Sequence, residues 1–186
     1  MAKMLKDVLC EHCTHDTGKL CPDLIQCLLE GPVCHEDNAC RESFALWREK
    51  LSRRRIDRPA IFVGTGTCGL GAGAGKTLAA VKAWIAASER QVDVVEVGCI
   101  GLCVMEPLVE VQLPGRARVM FSQVTEDKVN ALLESVFAGQ MPSEMLVEQH
   151  RNEAHTPWEG LPFLDEHPFF GPQTRWVLAN CESGRA

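Results

Sequence analysis

Residues 60 to 97 read strand, helix, strand, and that order limits the fold before any composition is counted. "AIFV" (60–63) is a short unbroken apolar run of the kind buried inside a sheet. "KTLAAVKAWIAASER" (76–90) places Leu78, Val81, Ile85 and Ala86 on one helical face at i, i+3/i+4 spacing. "VDVVEV" (92–97) is a second strand. Two strands joined through a helix pair in parallel by a right-handed crossover, so the loops that leave them emerge at the same edge of the sheet. "GCIGLCVMEP" (98–107) is a loop closed by Pro107. "LVEVQL" (108–113) alternates, "PG" (114–115) turns it into "RARVMFSQV" (116–124), and "TEDKVNALLESVFAG" (125–139) reads as a helix. Thr125 caps that helix, Val129, Leu132, Leu133 and Val136 line its apolar face, and Gly139 ends it.

The order β-α-β-β-β-α, a parallel pair extended by a hairpin, is the thioredoxin-like layout of an α/β domain. Three regions follow along the 186 residues. Residues 1–58 are a small Cys-rich helical module, 59–139 the thioredoxin-like domain, and 140–186 an extended tail rich in Pro, His and aromatics. A net charge of -6 argues against a nucleic-acid partner, whose footprint is basic. Arg53, Arg54, Arg55 and Arg58 are read as a solvated linker. No run reaches the ~18 apolar residues of a membrane span. "MAKMLKDVLCEHC" lacks the apolar core of a secretory signal, so the expected compartment is the cytoplasm. Ten cysteines in a reducing compartment read as ligands or catalytic thiols rather than disulfides.

"VGTGTCGLGAGAGKT" (63–77) raises a nucleotide reading, since Gly64, Gly66 and Gly69 match G-x-G-x-x-G. A P-loop needs Gly five residues before the Gly of its terminal Gly-Lys, and Leu70 stands there. A dinucleotide fold needs further βα units, where this chain turns into a hairpin. The remaining reading is a turn that lets a helix pack close to a sheet. Cys68 follows the first strand, and Cys99 and Cys103 follow the second, so three thiols converge on one sheet edge. Soft thiolates clustered this way suit iron–sulfur or zinc. The alternatives are three inert core cysteines, or a redox dithiol, for which C-x3-C is not the usual spacing.

"VEVGCIGLCVMEPLVEVQLPG" and "FVGTGTCGLGAGA" resemble the two halves of the thioredoxin-like 2Fe–2S ferredoxin domain. That domain occurs in a small subunit of complex I and at the N-terminus of flavin-binding subunits of NADH dehydrogenase and NAD(P)-linked hydrogenases. "HPFFGPQTRWVLANCESG" resembles the lead-in to the FMN- and NADH-binding domain of that family, so the resemblance covers residues 59 to about 183. It implies a 2Fe–2S cluster at Cys68, Cys99 and Cys103. It also implies an FMN- and NAD(P)H-binding chain and other iron–sulfur subunits as partners. The family brings four cysteines, and the place of the first is taken here by Gly64 or Val63. The chain stops where the family's FMN domain starts, so the flavin and NADH sites are expected elsewhere.

Cys10, Cys13, Cys21, Cys27, Cys34 and Cys40 fall within 31 residues, with His12, His15 and His35 among them. Cys10-x2-Cys13 is a metal knuckle, because one tight turn points both sulfurs at one ion. Cys10, Cys13, Cys21 and Cys27 are the first choice for one ligand set, leaving Cys34 and Cys40, with His35 as an additional candidate. The expected occupant is a second iron–sulfur cluster or zinc; the alternative is a disulfide-stapled or merely thiol-rich hairpin. His150, His155 and His167 show no ligand spacing, and Cys181 takes no role. Trp158, Phe163, Phe169, Phe170 and Trp176 read as a clamp onto a neighbouring domain. The function expected is one-electron transfer to or from a flavin-containing partner. Its rival is a zinc-bound structural adaptor whose thioredoxin-like domain holds no cluster.

Overall fold

The computed structural model describes residues 56–174, together with Leu46 and Glu49. The six N-terminal cysteines, Trp176 and Cys181 lie outside the described residues, and so does the expected helical module. By its contacts the chain divides into two compact units, Met1–Arg53 and Arg54–Ala186.

Five strands form one sheet in the order β2-β1-β3-β4-β5. They are β1 (Ala60–Gly64), β2 (Asp93–Val97), β3 (Val109–Gln112), β4 (Val119–Phe121) and β5 (Leu146–Gln149). Three helices accompany them: α1 (Thr67–Gly71), α2 (Ala74–Ser88) and α3 (Val129–Phe137). β1 and β2 are parallel and every other neighbouring pair is antiparallel, so the domain has the thioredoxin-like α/β arrangement read from its sequence.

Register does the positioning. Gly64 pairs with Val97, so β1 and β2 end level, and Val63 pairs with Val109, so β3 begins beside them. Thr65 donates its backbone N–H to Val97 at 2.9 Å and Gly64 donates to Leu108 at 3.0 Å, which knits the three chain segments together at that edge. The hairpin between β3 and β4 closes on Pro114-Gly115. Gly115 holds φ +73°, the left-handed value that the third position of a type II turn requires.

One sheet face carries Ile61, Val63, Val109, Val111, Val119 and Phe121, alternate residues of β1, β3 and β4. Val81 and Trp84 of α2 and Val129, Leu132, Leu133 and Val136 of α3 pack on it. The Thr77 hydroxyl donates to the Val124 carbonyl at 2.7 Å, and Trp84 Nε1 donates to Glu134 of α3 at 2.8 Å, so the two helices are tied to sheet and to each other. The intervening residues Phe62, Glu110, Gln112, Met120 and Glu148 are buried as well. They face the chain that follows α3, where Leu102, Leu108, Met120 and Phe170 form a smaller apolar cluster.

Four boundaries differ from the sequence reading. Residues 67–71, read as part of a glycine loop, form α1, and Gly73 at φ +103° separates it from α2. α3 starts at Val129, not at a Thr125 cap: residues 126–128 make a turn in which Lys128 N–H bonds the Thr125 carbonyl, and no side chain caps the helix. β4 is three residues rather than nine, because Ala117 N–H bonds Thr156 and Ser122 N–H bonds Met145 outside the ladder. β5 adds a strand beyond Gly139, in the segment read as a tail. It is four residues long with a register shift opposite Met120 and Phe121, so it carries no readable alternation.

Two of the aromatics read as a clamp serve the domain itself. Trp158 packs against the domain's own core and donates Nε1–H to the Ala117 carbonyl at 2.9 Å. Phe170 is buried in the second cluster. These two rings cover the chain's own sheet, while Phe169 is exposed. No helix among the described residues is long and apolar enough to cross a membrane.

Candidate metal centre

Cys68 is the second residue of α1, directly beyond the end of β1. Cys99 lies in the loop after β2, and Cys103 opens a 3-10 turn at Cys103–Met105. The level ends of β1 and β2 bring all three together: their sulfurs lie within 4.8 Å of one another. Cys99 Sγ and Cys103 Sγ are 3.4 Å apart. Cys68 and Cys99 are half-buried and Cys103 is exposed.

The glycines of the G-x-G-x-x-G match are explained by this closure rather than by a phosphate. A Cβ on Gly66 would stand 3.0 Å from the Cys99 backbone nitrogen and 3.2 Å from its Cβ. A Cβ on Gly69 would stand 2.1 Å from the Gly64 carbonyl oxygen, a hard clash. Bare backbone at both positions lets α1 approach β1 and lets the Cys68 segment approach the Cys99 loop. Gly101 adopts φ +95°, and its N–H donates to Cys99 Sγ at 3.2 Å. The loop is tied down beyond Cys103 as well: Met105 and Pro107 carbonyls accept from Gln123 and Val124 N–H at 2.9 and 3.0 Å.

The thiols share protons. Cys99 is lowered from the ordinary thiol range because the Cys68 thiol and the Gly101 N–H both donate to its sulfur. Cys68 is pushed up to about 12, because its hydrogen bonds to Cys99 and Cys103, its partial burial and the nearby negative charge all favour the protonated form. Three neighbouring sulfurs cannot all ionise unless a cation compensates them, which a bound metal does.

Glu106, the residue before the Pro107 that closes the cysteine loop, also reaches this site. It is buried, its Oε2 accepts the Leu108 N–H at 2.8 Å, and its Oε1 lies 3.7 Å from Cys68 Sγ. Its one sequence signal is its place three residues past Cys103, where a 3-10 turn folds the chain back on the cysteines. Outside the thiols the rim is apolar, with Leu70 55% and Val104 84% exposed, each within two residues of a cysteine. His150 and His155 are not ligands here. They bond Glu110 Oε1 at 3.1 Å and Gln112 Nε2 at 3.0 Å, on the sheet face away from α2 and α3.

This donor set fits a thiolate-loving metal centre. Three sulfurs converge from two loops, a backbone amide points at one of them, and the Glu106 carboxylate lies beside Cys68, where a 2Fe–2S site ordinarily uses four cysteines in all.

No protein-family model matches the chain, and no curated protein does. Among solved structures the chain is similar to a thioredoxin-like [2Fe-2S] ferredoxin from Aquifex aeolicus, at 17% identity and a TM-score of 0.44 over 52% of this chain and 96% of that one. A second structure of the wild-type ferredoxin from that organism aligns at 18% identity and a TM-score of 0.43, over 50% and 98%.

Proposed function

We propose that the chain is an iron–sulfur electron-transfer module, with Cys68, Cys99 and Cys103 as cluster ligands. The observation that carries this reading is the convergence of the three sulfurs within 4.8 Å at a glycine-lined sheet edge. A cluster of this kind, when bound, accepts and returns one electron without making bonds in a substrate. The chain's own part is to hold the thiolates and set their surroundings. The Gly101 N–H on Cys99 Sγ stabilises negative charge on that sulfur, which tunes a cluster potential. Cys103 is exposed, as are the apolar side chains of Leu70 and Val104 close to the cysteines in sequence, so the centre is open to a docked partner. The partner proposed from the sequence resemblance is an FMN- and NAD(P)H-binding chain, in the cytoplasm. A second iron–sulfur cluster or zinc at Cys10, Cys13, Cys21 and Cys27, with Cys34 and Cys40 in reserve, is proposed on their spacing alone.

Iron, acid-labile sulfide and zinc per chain, measured on protein purified without oxygen, test this. Iron with matching sulfide is expected, and Cys99→Ser or Cys103→Ser should each remove the part of the visible spectrum that belongs to this centre. Spectra unchanged in both variants would sink the assigned ligands. A second reading is a structural zinc ion. It is favoured by the sulfur spacing, since thiolates at ~2.3 Å on one tetrahedral ion stand about 3.8 Å apart. Zinc without sulfide would establish it.

A further inference from the structure

We infer that Glu106 supplies the fourth ligand of this centre, through Oε1, in the place where the sequence pattern lacks a cysteine. The inference rests on the metal-centre reading but not on which metal is held.

Space is the first ground. The sequence puts the missing cysteine at Gly64 or Val63, and a Cβ built on Gly64 would stand 3.1 Å from Glu106 Oε2 and 3.5 Å from Oε1. The carboxylate thus occupies the volume a side chain at Gly64 would use. Gly69, on the other side, keeps the same volume clear, since a Cβ there would lie 3.2 Å from Oε2. The pocket therefore exchanges a thiol from β1 for a carboxylate from the cysteine loop.

Charge is the second ground. Glu106 is 8% exposed, and no ion pair among the described residues includes it. Leu108 N–H satisfies Oε2, while among the described residues Oε1 has only Cys68 Sγ, at 3.7 Å, beside it. A buried carboxylate oxygen with only a thiol beside it among the described residues has a lone pair to spare, and a metal cation would take it. Reach is the third. Sulfur at ~2.3 Å and oxygen at ~2.1 Å on one tetrahedral ion stand about 3.6 Å apart. Cys68 Sγ and Glu106 Oε1 are 3.7 Å apart, while the group of atoms all within 4.8 Å of one another holds the three sulfurs alone, so the carboxylate has to turn further toward Cys99 and Cys103 as an ion binds.

Cobalt(II), whose thiolate charge-transfer band reports sulfur ligands, is the probe. It is titrated without oxygen into the full chain. A Cys68→Ser/Cys99→Ser/Cys103→Ser chain serves as the blank, so that cobalt on the other cysteines subtracts out. Glu106→Gln keeps an oxygen to accept the Leu108 N–H and removes the anionic ligand. Cobalt affinity at this centre should fall by more than the ~10–100-fold that loss of an outer-shell partner costs. Gly64→Cys/Glu106→Ala returns a thiol to the vacated volume, and should recover affinity with a stronger band than wild type. Equal affinity and band in wild type and folded Glu106→Gln would overturn the inference, as would a wild-type band no larger than the blank. Should Glu106→Gln unfold, the double variant decides: a band no stronger than wild type counts against Glu106. Iron and sulfide content answers the separate question. An iron-free chain that holds cobalt through Glu106 would end the electron-carrier reading and keep the ligand.

Discussion

The two faces of the sheet are built by different rules. The face under α2 and α3 is apolar throughout, and its strand residues Ile61, Val63, Val109, Val111, Val119 and Phe121 meet apolar side chains on both helices. The opposite face buries Glu110, Gln112 and Glu148 beside Phe62 and Met120, under cover made by the chain after α3. There Arg118 Nε and His150 Nε2 each lie 3.1 Å from a Glu110 carboxylate oxygen, and the Arg118 guanidinium also lies 4.6 Å over the Phe62 ring. Helices with an apolar stripe can cover an apolar face. A loop-rich cover exposes its own backbone and polar groups, so the strands beneath it need paired polar side chains. The first face is expected to respond to mutation by volume, the second by charge.

The largest effect is expected on the helix face. Phe121 is fully buried there, and Phe121→Ala should cost about 3–5 kcal/mol of unfolding free energy by lost transfer and residual cavity. Denaturant unfolding checks it; a loss below about 1 kcal/mol would mean the core collapses into the space. Arg118→Met comes next, on the other face. It leaves Glu110 buried without its main partner, and the cost should be somewhat below the ~3–5 kcal/mol of a fully buried pair, because both side chains keep 11–13% exposure. Arg118→Met/Glu110→Leu should recover most of that loss. No recovery would show that the face is held by shape, as the helix face is.

A smaller effect separates the faces by pH. Burial, then Glu166 and Asp165, push the Glu148 carboxyl up to about 7 from an ordinary 4.5. Folding therefore favours its protonated form. That contribution is complete below 4.5 and is lost as pH rises through 7. Glu110 has the opposite sign: burial pushes it up, but Arg118 and His150 outweigh that and hold it at about 2. Its stabilisation is present above 4.5 and lost as pH falls toward 2. Glu148→Gln should flatten the decline between pH 4.5 and 7. The gain at higher pH should be on the order of 1–2 kcal/mol once solvent screening of the surface acids is allowed for. A slope that survives the substitution would assign the decline to another group.

This division also explains what the sequence disclosed. β1, α2, β2, β3 and α3 were legible because apolar residues recur on the helix face at periods of 3.6 and 2. The convergence of Cys68, Cys99 and Cys103 was legible because a parallel pair must send its two following loops to one edge. The polar face was not legible. Glu110 and Gln112 alternate with Val109 and Val111 as solvent-facing residues would, and nothing local shows that Phe170 and Trp158 come back over the sheet. Those rings looked unemployed within the domain and were assigned to a neighbour. Glu106 was missed for a related reason, since an acid next to a proline reads as loop until the fold buries it.

The smallest effect expected sits on the outer layer of the polar face. Arg151 Nε lies 2.9 Å from Asp165, its Nη2 bonds Glu166, and its guanidinium is 3.8 Å over the Phe163 ring. The pair is about half exposed, so Arg151→Ala should cost only ~0–1 kcal/mol. Its consequence for pH is more informative. Arg151 neutralises the two acids whose charge helps to raise Glu148, so removing it leaves Glu148 facing uncompensated negative charge. The Glu148 carboxyl should then titrate higher still, and the decline in stability should extend to higher pH than in the wild type. Arg151→Ala/Glu148→Gln should show neither the decline nor the extension. If Arg151→Ala leaves the pH profile of stability where it was, the raised Glu148 owes its position to burial alone, and the polar face works as separate pairs rather than as one coupled layer.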